Sequence, residues 1–349
     1  MFGTDITIEI FNRCAGTCTG CLLSVAERRD NRPVMPPHEM REVARAVASH
    51  GRAIGIHYRA VLVFGDVPSM PLALLQRYLS ACTEEGLSIG ITMTLVDEDR
   101  DRHYDEALSA IEDADPKAIF DITVDPVRLE RDGSYARRIR AAAARAPHLH
   151  LAALLSEAVM ARWSPEALAD SIDHHLDGRP ISLGFTPSLS NLDRRNYAYD
   201  VRSAAEYAGR FYRHTEAGRE HLAREIDRFM GAGTYADFLG QTFHIAPGGL
   251  VHAVAYTVFG DIILDGRNLA KPLGNIHETD LGEILSGRVA RRLNVMNEAW
   301  MANGEFGCDT CGFREACTFS GIGLARMTYR DHEGKIGSCY GPAGMGIVA

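Results

Sequence analysis

A chain of 349 residues that is 46% hydrophobic and 24% charged has the composition of a folded globular protein, and its length suits one large domain with a smaller module appended. A formal net charge of -9 with no basic run argues against nucleic acid as a partner, because phosphates call for a positive stripe. The first residues lack the basic start and apolar stretch of a secretory signal, and no apolar run reaches the roughly 18 residues of a membrane helix, so a cytoplasmic protein with no membrane partner is expected.

In chain order, Ile6-Thr7-Ile8-Glu9-Ile10-Phe11 alternates apolar and polar side chains, the period of a strand. Glu9 on that strand is a candidate acid/base residue if it points inward. Directly afterwards comes Cys14-Ala15-Gly16-Thr17-Cys18-Thr19-Gly20-Cys21. Three thiolates on one tight loop can hold three irons of a [4Fe–4S] cube and leave the fourth iron without a protein ligand. Gly16 and Gly20 let the backbone wrap closely around such a core. A structural zinc knuckle is the competing reading, but zinc asks for four ligands and no neighbouring residue supplies the fourth.

Pro36-Pro37 opens a helix with Met40, Val43, Ala44 and Val47 on one face, and Gly51 is expected to stop it. Ala60–Phe64 is a continuous apolar run, as in a buried parallel strand, and is followed by Phe64-Gly65-Asp66-Val67-Pro68. A second helix is expected from Pro71 to Cys82, ended by Gly86, with Cys82 in its apolar face beside Leu74, Leu75 and Tyr78. Further strands are expected at Ile89–Val96, Ala118–Val124, His148–Leu155 and Ile181–Phe185. His174-His175 reads as a helix end. A charged helical stretch runs from Tyr199 to Met230, and Gly231-Ala232-Gly233 reads as a hinge, dividing the chain into residues 1–230 and 231–349. Six strands with helices between them are too few for an eight-stranded barrel, so the expected class is α/β with a partial, TIM-like (β/α)6 barrel.

Beyond the hinge, Cys308, Cys311, Cys317 and Cys339 form a second cysteine set. Four thiolates can fully ligate a second [4Fe–4S] cluster, but an all-thiolate tetrahedron also suits zinc. The residues alone leave that choice open.

A strand followed by Cys14-x3-Cys18-x2-Cys21 resembles the radical SAM (S-adenosylmethionine) superfamily. The resemblance implies that SAM chelates the open iron through its amino and carboxylate groups. It further implies reductive cleavage to a 5′-deoxyadenosyl radical that takes hydrogen from unactivated carbon, with electrons from a flavodoxin- or ferredoxin-type donor. Gly65-Asp66 is similar to the family's Gly-Gly-Glu-Pro segment, which implies that the backbone at Gly65 and the Asp66 carboxylate receive the SAM amine. Ile122-Thr123-Val124-Asp125 resembles the fourth-strand Ser-Leu-Asp-Gly segment, which implies a hydroxyl contact from Thr123 and a guanidinium fork from Arg131 to the SAM carboxylate. Gly20 departs from the family, which has an aromatic residue before the third cysteine.

Cys308-x2-Cys311-x5-Cys317 with the distant Cys339 resembles the second auxiliary cluster of the SPASM subfamily. The resemblance implies a C-terminal SPASM-like module with one auxiliary [4Fe–4S] cluster, hence two clusters in all. Ala246–Val251 and Leu273-Gly274-Asn275-Ile276 fit the approach to that module. His252-Ala253-Val254-Ala255 stands where those proteins have a further cysteine, and Gly321 where they have another, so the first auxiliary cluster is expected to be missing. Tyr256 is a further acid/base candidate, and His252 reads as a surface strand residue. The expected function is oxidative or cross-linking modification of a peptide or protein side chain. The alternatives are dehydrogenation or epimerisation of a small molecule such as an amino-sugar or cyclitol, and a zinc-stabilised binding protein without catalysis.

Overall fold

The computed structural model describes residues 4–10, 14, 16, 35–63, 65–145, 148–185, 201–222, 243–252, 263–264, 267–268, 272–292, 295 and 309–312. Six parallel strands and their crossover helices alternate through the first half: β1 (Thr4–Glu9), α1 (Pro37–Ile54), β2 (Tyr58–Val63), α2 (Leu72–Glu84), β3 (Ser88–Met93), α3 (Asp101–Ala114) and β4 (Ile119–Val124). The series continues with α4 (Pro126–Arg131), α5 (Gly133–Arg145), β5 (His148–Leu155), α6 (Glu157–Arg162), α7 (Pro165–His175), β6 (Ser182–Phe185) and α8 (Val201–His214). The later elements are β7 (His244–Ala246), β8 (Leu250–His252), β9 (Ile263–Leu264), β10 (Arg267–Asn268), β11 (Gly274–Asn275) and α9 (Leu281–Leu285).

The main sheet has nine strands in the order β11-β8-β7-β1-β2-β3-β4-β5-β6, and β9 with β10 forms a separate pair. Strands β1 to β6 sit in sequence order and pair in parallel throughout. Crossovers of one hand that always step the same way deliver their helices to one face of a sheet. Burial follows that rule. Ile6, Ile8, Leu62, Ile91, Phe120, Ile122 and Ala153 are fully buried in one core with Val43, Val47, Leu75 and Ile139 from the helices. Alternate strand positions point the other way and are mostly polar: Asp5, Thr7, Glu9, Arg59, Thr92, Asp121, Thr123, His150 and Ser182. The sheet therefore has an apolar, helix-covered face and a polar face.

Local chemistry accounts for the element boundaries. Ser164 caps α7 by accepting the Ala167 N–H, with Pro165 in the first turn, and Asp125 caps α4 by accepting from Val127 and Arg128. His175 closes α7 as expected. Two boundaries differ from expectation. Helix α1 runs through Gly51 to Ile54 and ends at Gly55, the residue with a φ of 73°. Gly51 is instead a close-approach position, since a Cβ there would meet the Ile56 carbonyl oxygen at 2.5 Å. Strand β3 stops at Met93 rather than Val96 because Leu95 turns left-handed, with a φ of 55°.

Three of the described strands from residue 244 onward, β7, β8 and β11, extend this sheet. β7 pairs in parallel with β1, through Thr7 opposite His244 and Ile8 opposite Ile245, and β8 and β11 follow antiparallel. The Gly248-Gly249 turn of that hairpin is gripped from α1: Glu39 accepts the N–H groups of both glycines, that of Gly249 at 2.9 Å. Among the described residues no helix is long and apolar enough to cross a membrane.

Candidate active site

The chain emerges from the C-terminal end of β1 and reaches Cys14, which packs partly buried against the core. Its Sγ accepts the Gly16 N–H at 3.2 Å and lies 3.8 Å from Thr94 Oγ1, just past the end of β3. A backbone N–H donating to the sulfur, with a hydroxyl in reach of it, suits a thiolate, so Cys14 fits the chemistry of a first cluster ligand. Cys18 and Cys21 lie outside the described residues. In the second cysteine set Cys311 is described and half-buried, while Cys308, Cys317 and Cys339 lie outside.

Gly65 follows β2 with a φ of 66°, a conformation open to glycine. Asp66 comes next and is only 1% exposed. Its Oδ1 accepts the N–H groups of Thr94 at 2.9 Å and Leu95 at 3.2 Å, and its Oδ2 accepts the Tyr104 hydroxyl. A buried carboxylate needs its donors inside the fold, and here they come from the end of β3 and from α3. Burial, reinforced by the Asp66 charge, pushes the Tyr104 phenol well above its usual range, so that group remains a donor.

Leu95 is held from its other side as well. The buried Arg138 of α5 donates from Nε to the Leu95 carbonyl at 2.8 Å and reaches Asp101 Oδ1 and Ser134 Oγ, both at 3.3 Å. Asp132 lies 3.6 Å from the same guanidinium. Arg131, the arginine expected from the sequence, is exposed in the last turn of α4. The inward arginine of this region is the one seven residues later, which sequence reasoning missed. Its signal was position: it shares the buried face of α5 with Tyr135, Ile139 and Ala142. Thr123 lies on the polar face of β4. Its carbonyl accepts the Tyr135 hydroxyl at 3.2 Å, and that hydroxyl in turn accepts the Asp125 N–H at 3.1 Å. Tyr135 thereby fixes the strand end from which Thr123 projects.

Glu9, the last residue of β1, is buried on the polar face. Its Oε2 lies 3.3 Å from Nε2 of His244, whose Nδ1 lies 3.0 Å from Thr7 Oγ1. His244 is 0% exposed and missing from any reading of the sequence, because a histidine in a three-residue strand carries no periodic signal. His252 stands opposite it on β8, ring centroids 6.1 Å apart, and is 3% exposed. That corrects its reading as a surface residue: the hairpin is an inner part of the sheet. Tyr256 lies outside the described residues. A second polar row occupies the N-terminal halves of β4, β5 and β6, where His150 bridges Asp121 Oδ1 and Ser182 Oγ at 2.9 Å each. Cys82 is fully buried in α2, and burial pushes its thiol up to about 12, so it behaves as a core residue.

No family model matches the chain, and no curated protein sequence matches it either. Solved structures do. The protein anSMEcpe with bound AdoMet aligns at a TM-score of 0.57 and 13% identity, over 90% of this chain and 91% of that one. Native anSMEcpe with bound AdoMet and a Cp18Cys peptide aligns at a TM-score of 0.52 and 13% identity, over the same 90% and 91%. BtrN in complex with AdoMet and 2-DOIA, at a TM-score of 0.35, aligns too loosely to bear on the fold. The two anSMEcpe likenesses show that the chain shares the fold of that protein.

Proposed function

We propose that this chain is a radical SAM enzyme that modifies a peptide or protein side chain by oxidation or cross-linking. The observation that carries the reading is the placement of Cys14. The first residue of a Cys-x3-Cys-x2-Cys run stands beyond the C-terminal end of β1 in a parallel α/β sheet, with the Gly16 N–H directed at its sulfur. Cys14, Cys18 and Cys21 would hold the SAM-binding [4Fe–4S] cluster, and Cys308, Cys311, Cys317 and Cys339 one auxiliary cluster. Bound there, SAM supplies a 5′-deoxyadenosyl radical on reduction by a flavodoxin- or ferredoxin-type donor.

The chain's own groups have separate tasks in this reading. The backbone at Gly65 and the Thr123 hydroxyl line the SAM site, with Arg131 near the carboxylate end. Glu9, oriented by His244, accepts a proton from the substrate. The peptide preference is supported by the peptide-bound state of anSMEcpe. The buried Glu9 carboxylate at the C-terminal end of β1 favours a second reading in which a cationic small molecule such as an amino-sugar is dehydrogenated or epimerised. The same proposal treats residues 1–230 as a partial (β/α)6 barrel and residues 231–349 as a SPASM-like module whose first hairpin docks on β1.

Anaerobically reconstituted protein is expected to hold about eight irons, as two cubanes. It is expected to release 5′-deoxyadenosine from SAM once reduced. Replacing Cys14, Cys18 and Cys21 by alanine is expected to halve the iron and abolish that product. Zinc in place of iron, or no 5′-deoxyadenosine from a fully loaded chain, overturns the reading.

A further inference from the structure

Among the described residues, Leu95 is the buried non-glycine residue with a left-handed backbone near Cys14, with a φ of 55°. Such a conformation persists only where the surroundings over-determine it, and it recurs where a side chain must be aimed. The surroundings here act from both sides. Asp66 Oδ1 takes the Leu95 N–H at 3.2 Å, and Arg138 donates to the Leu95 carbonyl at 2.8 Å. The same carboxylate oxygen takes the Thr94 N–H at 2.9 Å, while Tyr104 fixes the second oxygen. Thr94 is the residue this frame locks in place, and its Oγ1 lies 3.8 Å from Cys14 Sγ.

We propose that Thr94 tunes the iron–sulfur cluster by donating its hydroxyl hydrogen bond to the Cys14 thiolate, with Asp66 and Arg138 as the positioning residues that hold it there. The inference rests on the radical SAM reading of Cys14, Cys18 and Cys21. A thiolate on iron carries no proton, so the hydroxyl is the donor of the pair. Reduction puts further negative charge on the ligand sulfurs, which strengthens a bond from a donor. Thr94 therefore favours the reduced cluster and raises its potential. Asp66 thus acts at the cluster through the backbone of residues 94 and 95, not through a contact with the cofactor amine.

The test is an anaerobic redox titration of the reconstituted full-length protein without SAM, followed on the electron paramagnetic resonance signal that added SAM later perturbs. Thr94→Val keeps the shape and drops the hydroxyl. It is expected to move the one-electron reduction equilibrium about tenfold toward the oxidised cluster, which is 59 mV for one electron. Thr94→Ser is expected to restore the wild-type potential. If the valine chain fails to load iron, Thr94→Ala carries the same expectation. A loaded Thr94→Val cluster with the wild-type potential overturns the proposal. So does weakened SAM binding at an unchanged potential, which would assign the hydroxyl to the cofactor. A wild-type chain that binds no iron removes the radical SAM reading itself, an outcome distinct from an unchanged potential.

Discussion

The Glu9 carboxylate stands 3.3 Å from Nε2 of His244 and joins the last residue of β1 to the first residue of β7, 235 positions apart in sequence. Both partners are buried, so deleting one leaves the other where water cannot easily compensate. His244→Ala is expected to cost about 3–5 kcal/mol in a urea melt, because it strands the carboxylate. Glu9→Gln keeps the shape and a hydrogen bond to the imidazole and is expected to fold near normally. Under the proposed function it loses about 10²- to 10⁴-fold in product formation while 5′-deoxyadenosine is still released. Chromatography of both products decides this, and a Glu9→Gln enzyme with wild-type product yield removes Glu9 from the chemistry.

Asp66 is a structural carboxylate in this fold, and stability measurements distinguish that role from a ligand contact. Asp66→Ala strands two backbone N–H groups and the Tyr104 hydroxyl, and is expected to destabilise by about 3 kcal/mol or more. Tyr104→Phe removes one bond to a charged group and is expected to cost about 1.5–3 kcal/mol. Urea midpoints of the unloaded protein report both. An Asp66→Ala chain as stable as wild type would mean that the carboxylate does not hold the end of β3.

Acid sensitivity provides a third check, at Asp132. Burial opposes its charged form, but donors from Ser134 and Tyr135 and the Arg138 guanidinium outweigh it and lower its pKa below the usual 3.8. A carboxyl whose pKa is lower in the folded state stabilises the fold above its unfolded pKa, and that contribution is lost as pH falls through the folded value. Stability is therefore expected to fall as pH drops below about 4, and Asp132→Asn is expected to flatten that fall while weakening the protein at neutral pH. Denaturation midpoints measured between about pH 2.5 and pH 7 give the comparison. An acid limb as steep in Asp132→Asn as in wild type contradicts the assignment.

The parallel strands and their helices were readable because each carries its own period. Alternation in Ile6–Ile10 and the apolar run at Ala60–Val63 announce β1 and β2 without reference to any distant residue. Helix ends were readable where a start or stop residue sits beside them, as with Pro36-Pro37 and Gly86. Gly51 shows the limit: it reads as a stop, and only the packing of Ile56 and Tyr58 against it reveals that the helix runs on to Gly55.

The site was legible to a lesser degree, and for a physical reason. Glu9 could be placed on the polar face by counting along β1, but its partner His244 depends on a pairing that no local pattern encodes. Asp66 was found by its motif, but a motif names a carboxylate without saying which donors surround it. Arg138 was hidden behind Arg131 because the nearer arginine fitted the spacing, while only the amphipathic phase of α5 reveals which of the two faces inward. Thr94 gave no sign at all, because its significance comes from the left-handed turn at Leu95 that follows it.

β1 lies between β2 and β7, so the strand that leads into Cys14 has two flanks of very different age during synthesis. Its contacts with β2 close over about 54 residues, whereas the bond from Thr7 to His244 spans 237. Until the β7–β8 hairpin has been translated and caught by Glu39, one margin of that strand offers bare N–H and C=O groups to any other chain nearby. Under the proposed function, cluster loading at Cys14 is expected late in the life of the nascent protein, after the ribosome has made the distant segment that flanks β1.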